Sequence, residues 1–220
     1  MGTKKMNTEI RQGQIAQAAL TLVAGRGLKG LTVADIAEQV GLVPSAIYRH
    51  FKGKEEIIDA LLEVIHDRLM SNVTSVCAET AHPIERLHKL LEQHIQLIKE
   101  NQGIPRLIFF EDIYGDRSDR KKKVYETIKK YLAKISDIVV QGQQEGLIRQ
   151  DLDVGTVAMM FLGMIQPAAI IWYLGEGDFA LARHARKAWE LFYVSIKGGD
   201  EGVSLKKSAV QHGKKKGSER

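Results

Sequence analysis

The sequence predicts an all-α protein, and two observations support this fold class. Apolar residues recur three or four positions apart through most of the long segments, which is the spacing that gives a helix one buried face. Glycine, proline and capping residues stand between these segments, where helices begin and end. The chain has 220 residues, of which 44% are hydrophobic. We therefore expect a small helical domain at 8–53, a larger helical domain at 54–197 and a flexible basic tail at 198–220.

The segment from Leu31 to Phe51 predicts two short helices joined by a tight turn. Thr32 is placed to cap the first helix, and Asp35 can return a hydrogen bond to the Thr32 amide. Gly41 suits the left-handed position after that helix, and Pro44 suits the first turn of a second helix over 44–50. Small residues open the second helix, and aromatic and basic residues follow them. This pattern is typical of a helix-turn-helix that enters a DNA major groove. A plain helical hairpin is the alternative.

The flanking segments extend this helical unit. We expect the first helix to run from Thr8 to about Ala24, preceded by a mobile arm at 1–7. A long helix should begin at Lys54 and reach about Cys77. A cation at a helix start opposes the helix dipole, so Lys54 is expected to hold a phosphate; the alternative is that it offsets Glu55 and Glu56.

These residues carry a resemblance to a known family. The matching pieces are QIAQAALTLVAGRG, LTVADIAEQVGL and AIYRHFKGKEEII, which lie between Ile10 and Leu62. They resemble the DNA-binding domain of the tetracycline-repressor (TetR) family of bacterial regulators. Val43 departs from the family, which commonly has serine at that cap. The resemblance implies three N-terminal helices, a connecting fourth helix, and a C-terminal helical bundle that dimerises and binds a small ligand.

The C-terminal segments are consistent with such a bundle. Helices are expected over Pro83–Glu100, Pro105–Tyr114, Ser118–Gln144, Val154–Gly175 and Asp178–Ile196. The basic run at 120–123, in the first turn of the third of these, is interpreted as a solvated face.

The segment Val154–Gly175 contains no charged residue and is long enough to span a bilayer. Gln166 and Pro167 in its middle argue against a membrane span. In TetR-like proteins, a turn like the one at 146–153 leads into the first of two dimer-forming helices. The resemblance therefore makes Val154–Gly175 and Asp178–Ile196 the interface of a homodimer, and no membrane is expected.

The candidate site residues fall into two groups. The base-edge contacts are expected from Pro44, Ser45 and Arg49, and the phosphate contacts from Thr32, Tyr48, His50 and Lys54. A ligand pocket, suited to a small apolar or amphipathic effector, is expected among large or polarizable residues with a few polar anchors. Its candidates are His94, Phe110, Tyr114, Tyr131, Met164 and Gln166, with Phe109, Met160 and Trp172 as further aromatic or methionine side chains.

Composition sets the remaining expectations. The net charge of +5 is compatible with nucleic acid binding, and the single cysteine, Cys77, fits a reducing compartment, so a cytoplasmic location without a signal peptide is expected. We find no catalytic set, and His82, His88 and His94 lack metal-ligand spacing, so no metal and no cofactor are expected. The resulting hypothesis is a ligand-responsive dimeric repressor that binds a pseudo-palindromic operator. The alternatives are a spatial or structural DNA-binding factor, a membrane-anchored regulator and, more distantly, an enzyme.

Overall fold

The computed structural model describes residues 2–110 and 118–198, with side chains placed for 8–109 and 119–198. Within these ranges the chain is α-helical, and its only β pairing is an isolated antiparallel bridge between Ile148 and Lys197. The helices are α1 (Gly2–Arg26), α2 (Val33–Val40), α3 (Pro44–Ile47), α4 (Lys54–Glu79), α5 (Pro83–Glu100), α6 (Gly103–Pro105), α7 (Ser118–Gln144), α8 (Val154–Leu174) and α9 (Leu181–Ile196), and a π-helical turn (Arg106–Phe110) continues α6. The predicted all-α fold class is confirmed.

Three predicted helix starts were wrong. We predicted a mobile arm at 1–7 and a first helix from about Thr8, but α1 begins at Gly2; no proline interrupts this stretch, and its lysines and methionine are good helix formers. The helix predicted from Asp178 begins only at Leu181, after a turn in which Glu176 and Gly177 have positive φ angles. The helix predicted over Pro105–Tyr114 begins at Gly103 and is π-helical from Arg106 to Phe110, and its remaining residues lie outside the described ranges.

The first capped helix follows the predicted pattern closely. The Thr32 hydroxyl accepts the Asp35 amide at 3.1 Å, and Gly41 adopts φ 73°. The amides of Gly41 and Leu42 bond to the carbonyls of Glu38 and Ala37, which is a Schellman motif. One detail differs: the Asp35 carboxylate accepts the Thr32 hydroxyl at 2.5 Å rather than the Thr32 amide that we predicted.

The described helices pack around two apolar cores. The N-terminal core joins α1, α2 and α3 to the first half of α4, and Leu107 and Val124 from the C-terminal half of the chain complete it. The C-terminal core lies among the second half of α4 and α5, α7, α8 and α9. Leu69 of α4 and Ile128 of α7 pack against both cores. The two halves therefore share side chains as well as a helix.

Helix α8 is the one helix in the described ranges that is long and apolar enough to cross a membrane. Only 39% of its most apolar window is buried inside the subunit. Length and composition alone are weak grounds for a span, because core helices pass the same test. The subunit leaves several large apolar side chains of α8 exposed: Met159, Met160, Ile171 and Leu174.

Candidate nucleic-acid interface and internal cavity

The second short helix presents a compact polar surface. Regular helix covers only Pro44–Ile47, not the predicted 44–50. Val43 occupies the cap position in an extended conformation and offers no side-chain hydrogen bond, so Pro44 alone sets the start of the helix. After Ile47 the backbone continues as turns, with the amides of His50 and Phe51 both bonded to the Ile47 carbonyl. The uncapped start and the early turn explain the short helix.

The four residues predicted on the outer side of this segment are exposed. Pro44, Ser45 and Arg49 are exposed, and Tyr48 is 56% exposed. The side chains of Ala46 and Ile47 point inward and are buried against the N-terminal core. The structure therefore brings the predicted base-edge residues and Tyr48 together on one accessible face.

Thr32 and His50, two further predicted phosphate contacts, differ in which of their polar atoms already have hydrogen-bond partners. The Thr32 hydroxyl is engaged with Asp35, and these hydrogen bonds, together with one from Arg26, lower the pKa of the Asp35 carboxyl. His50 is half-buried, its carbonyl accepts the Gln12 amide, and its Nδ1 is buried without a partner among the described residues. Any contact from His50 must therefore use the Nε2 edge of its ring.

Lys54 lies at the N-terminus of α4, as expected. The alternative role for Lys54 was to offset the charges of Glu55 and Glu56, but these two carboxylates have other partners. Glu55 pairs with Arg120 at 2.9 Å, and Glu56 accepts the Lys52 amide at 2.5 Å. Among the ion pairs of the described ranges none involves Lys54, so its ammonium is available to an external anion.

An internal cavity lies between the two cores. The space free of atoms measures about 740 Å³ when the solvent at its open mouth is included, so the enclosed part is smaller. Its walls come from α4, α5, α6, the π-helical turn, α7 and α8. Most lining side chains are apolar: Leu62, Ile65, Leu69, Ile98, Ile104, Pro105, Ile108, Phe109, Val124, Ile128, Leu162, Ile165 and Ala169. Such a site suits a largely apolar ligand.

The predicted pocket residues divide into three groups. His94, Tyr131, Gln166 and Phe109 line the cavity. Met164 and Trp172 do not; both pack against the C-terminal core, while Met160 is half exposed. The prediction for Tyr114 and the side chain of Phe110 falls outside the described residues.

The wall that α4 contributes to the cavity was not predicted from the sequence. Leu62, Ile65 and Leu69 were assigned only to a linking helix, yet they face the cavity from the same helix that begins at Lys54. Their spacing of three and four is a helical stripe, and this signal could have indicated a second buried face.

An ion-pair cluster around the buried Arg120 joins the start of α7 to the start of α4. The prediction of a solvated basic face at 120–123 was wrong for Arg120, which is only 6% exposed. Its guanidinium donates to Asp59 at 2.7 Å and to the side chain and carbonyl of Glu55 at 2.9 Å. Lys123 pairs with Glu63 at 2.5 Å. The three acids are four residues apart, so they form one stripe along α4 that pairs with Arg120 and Lys123 of α7.

A polar contact joins α1 to the C-terminal half. Asn101, which is buried after α5, accepts the Gln17 amide of α1 at 2.8 Å and the Arg68 guanidinium of α4 at 3.2 Å. Arg106 donates to the Ala24 carbonyl at the end of α1. The cavity walls are therefore connected to the N-terminal helices through α4 and through these contacts.

Comparison with known families assigns both halves of the chain. The model of bacterial regulatory proteins of the tetR family matches residues 15–61. The model of the C-terminal region of YsiA-like proteins matches residues 46–195, which is more than half of the chain. The chain belongs to the TetR family. It is therefore a DNA-binding transcriptional regulator of the ligand-responsive kind, as the resemblance implied.

Individual TetR-family relatives cover nearly the whole chain. The HTH-type transcriptional repressor KstR2 of Mycobacterium tuberculosis is 29% identical over 207 residues, 88% of this chain and 95% of the relative. The structure of FadR from Bacillus subtilis in complex with stearoyl-CoA is similar at a TM-score of 0.71 and 26% identity, covering 83% of this chain and 98% of that one. The nucleoid occlusion factor SlmA of Vibrio vulnificus is 30% identical over 138 residues, 61% of this chain and 69% of the relative.

Proposed function

We propose that this TetR-family regulator is a homodimeric repressor that leaves a pseudo-palindromic operator when an apolar or amphipathic effector fills the internal cavity. The observation that carries the proposal is the double role of α4. This helix begins at Lys54, next to the exposed recognition segment, and its Leu62, Ile65 and Leu69 form one wall of the cavity. A ligand that binds more tightly when α4 is in a second position shifts the protein toward the conformation with that position. The affinity for DNA then falls by as much as the ligand affinities of the two conformations differ.

The operator contacts are proposed as follows. Pro44, Ser45 and Arg49 reach base edges in the major groove, and Tyr48 and Lys54 hold phosphates on either side. Thr32 and His50 complete the phosphate contacts, Thr32 through its backbone because its hydroxyl is bonded to Asp35. Exposure of the four outward residues supports this assignment.

The dimer is proposed to form through α8 and α9. Both helices carry large apolar side chains that the subunit leaves exposed: Met159, Met160, Ile171, Leu174, Leu191 and Val194. Leu191 and Val194 are 76% and 64% exposed, and they lie one turn apart on α9. An exposed apolar patch of this kind on adjacent helices marks an interface. A second copy of the chain covers it symmetrically, as a four-helix contact.

The effector is proposed to have a long or bulky apolar part. The apolar lining of the cavity supports this, and so does the stearoyl-CoA bound by the similar FadR of Bacillus subtilis. The cavity also favours a switch over the alternative of a spatial factor, despite the similarity to the nucleoid occlusion factor SlmA. We retain 8–53 and 54–197 as the DNA-binding and effector-binding units, and a cytoplasmic location.

Operator binding is tested with Tyr48→Ala after selecting bound DNA sequences with the full-length protein. We expect at least a ten-fold loss of affinity in a gel-shift titration at fixed salt, because a phosphate contact and its packing are removed. Tyr125→Ala, which removes a similarly exposed tyrosine from α7, is the control and should bind normally. Equal affinity of wild type and Tyr48→Ala would refute the assignment of the recognition surface.

The dimer is tested by light scattering with Leu191→Asp. The wild type should have twice the mass of one subunit at micromolar concentration, and the variant should shift toward the monomer because a charge would be buried at the interface. Tyr125→Asp places the same charge on an exposed side chain of α7 and should remain dimeric. A wild-type monomer, or an unaffected Leu191→Asp dimer, would contradict the proposed interface.

A further inference from the structure

The apolar cavity contains a small polar cluster that comes from three helices. Its members are His94 on α5, Thr127 and Tyr131 on α7, and Gln166 on α8. The lining residues in the described ranges include no lysine, arginine, aspartate or glutamate. Any polar group of a bound molecule therefore meets uncharged partners, and a buried carboxylate would find no cation to compensate its lost hydration.

His94 and Tyr131 form a fixed pair within this cluster. His94 Nδ1 lies 3.0 Å from the Tyr131 hydroxyl, and the two rings meet edge to face at 71° with centroids 5.3 Å apart. Tyr131 is 1% exposed, and burial raises the pKa of its phenol, so the hydroxyl keeps its proton. The Thr127 hydroxyl makes its hydrogen bond to another residue, His66 Nδ1, at 3.1 Å.

The hydrogen-bond partners decide the tautomer of His94. A buried hydroxyl needs an acceptor for its proton, and among the described residues His94 Nδ1 is the partner of Tyr131. The Tyr131 hydroxyl therefore donates to Nδ1, and the proton of the neutral imidazole lies on Nε2. Burial lowers the pKa of His94 to about 4, which keeps the ring neutral at physiological pH.

The Nε2–H group is left for a ligand. In the described part of the chain no acceptor bonds to it, although the ring borders the cavity and keeps partial exposure there. Gln166 lines the same cavity, and its amide likewise takes part in no hydrogen bond with a described residue. An apolar cavity thus contains a preorganised, uncharged donor whose own position is held by Tyr131.

We propose that His94 recognises an uncharged carbonyl oxygen of the effector, as found in an ester, thioester or ketone, through a hydrogen bond from Nε2–H. Tyr131 is the positioning residue, because it holds the ring and selects its tautomer. This inference rests on the proposed effector cavity and specifies which functional group of the effector the cavity recognises. A carboxylate is disfavoured at this position, and a plain hydrocarbon binds without the hydrogen bond.

The test uses three probes of equal size on the full-length protein. Benzylacetone has a ketone, isopentylbenzene has a methyl group in place of its oxygen, and hydrocinnamate has a carboxylate at the same place. Dissociation constants are measured at pH 8 by ligand-detected NMR. We expect benzylacetone to bind about five-fold more tightly than isopentylbenzene, as one net hydrogen bond provides, and at least ten-fold more tightly than hydrocinnamate.

Two substitutions of His94 separate recognition from packing. In His94→Gln the amide nitrogen occupies roughly the Nε2 position, so the preference for the ketone should persist. In His94→Asn only the Nδ1 side is reproduced, so the preference over isopentylbenzene should fall to near parity while hydrocarbon binding remains. Tyr131→Phe should lower the ketone preference and leave hydrocarbon affinity within two-fold.

The outcomes distinguish this inference from the proposed function. Binding of isopentylbenzene shows that the cavity accepts an apolar ligand, whatever the ketone does. Equal binding of the hydrocarbon and the ketone, tightest binding of hydrocinnamate, or an unchanged ketone preference in His94→Asn would overturn the carbonyl assignment alone. Failure of all three probes to bind would overturn both the effector cavity and the assignment of His94.

Discussion

Replacing His94 tests the burial of its ring beside the cavity, because this burial predicts a specific dependence of stability on pH. Burial lowers the pKa of His94 from 6.5 to about 4. Between these values the unfolded chain binds a proton that the folded chain does not, so the free energy of unfolding falls as the pH falls. Proton linkage gives a loss of about 2 kcal/mol at pH 5 and about 3 kcal/mol below pH 4, and the effect is absent above the unfolded pKa.

The assay is urea unfolding of wild type and His94→Gln at pH 7.5, 6 and 5, at one protein concentration because a dimer's stability depends on it. The stability advantage of wild type over the variant should shrink by about 2 kcal/mol from pH 7.5 to pH 5, since glutamine does not titrate. His184→Gln removes an exposed histidine of α9 and serves as the control. If the free energies of unfolding of wild type and His94→Gln differ by the same amount at all three pH values, the ring is not buried as described.

Two further substitutions test the contacts that join the halves of the chain. Gly103→Ala would place a Cβ atom 2.3 Å from the Leu20 carbonyl oxygen, so we expect a loss of about 1–3 kcal/mol in urea unfolding. Gly13→Ala, where a Cβ meets no atom within 4 Å, should stabilise α1 by about 0.5–1 kcal/mol, and equal effects of the two would contradict the close packing. Arg120→Met should cost about 1–3 kcal/mol, because charged hydrogen bonds to half-exposed acids are lost. The exposed Lys122→Met should change stability by less than about 0.5 kcal/mol, and a similar value for Arg120→Met would show that the ion-pair cluster is not stabilising.

Local signals were the most reliable guide from sequence to fold. Thr32 caps the N-terminus of α2 and Gly41 its C-terminus, as predicted. Asp153 caps the N-terminus of α8 by accepting the Thr156 amide at 2.7 Å. These features depend on residues within one or two turns, so a short stretch of sequence determines them. The length of α3 could not be predicted in the same way, because Val43 provides no cap bond and the turn after Ile47 depends on packing against α1.

The cavity and the ion-pair cluster depend on pairs of residues far apart in the chain. His94 and Tyr131 were both predicted pocket residues, but their 3.0 Å contact arises only when α5 packs on α7. Arg120 was interpreted as solvated because the acids that surround it lie about 60 positions earlier. The acidic stripe on α4 and the basic start of α7 were visible separately, and only the tertiary fold shows that they pair with each other.

The two apolar cores share side chains, and this has a practical consequence for finding the effector. Leu69 and Ile128 pack against both cores and also line the cavity between them. The cavity therefore exists only while both halves are folded, and a molecule that fills it must stabilise the chain against heat as a whole. At a concentration 100-fold above its dissociation constant, such a molecule adds about 2.7 kcal/mol, which raises the melting temperature by about 5–10 °C. Metabolites can thus be ranked as effectors by thermal shift alone, before any operator sequence is known.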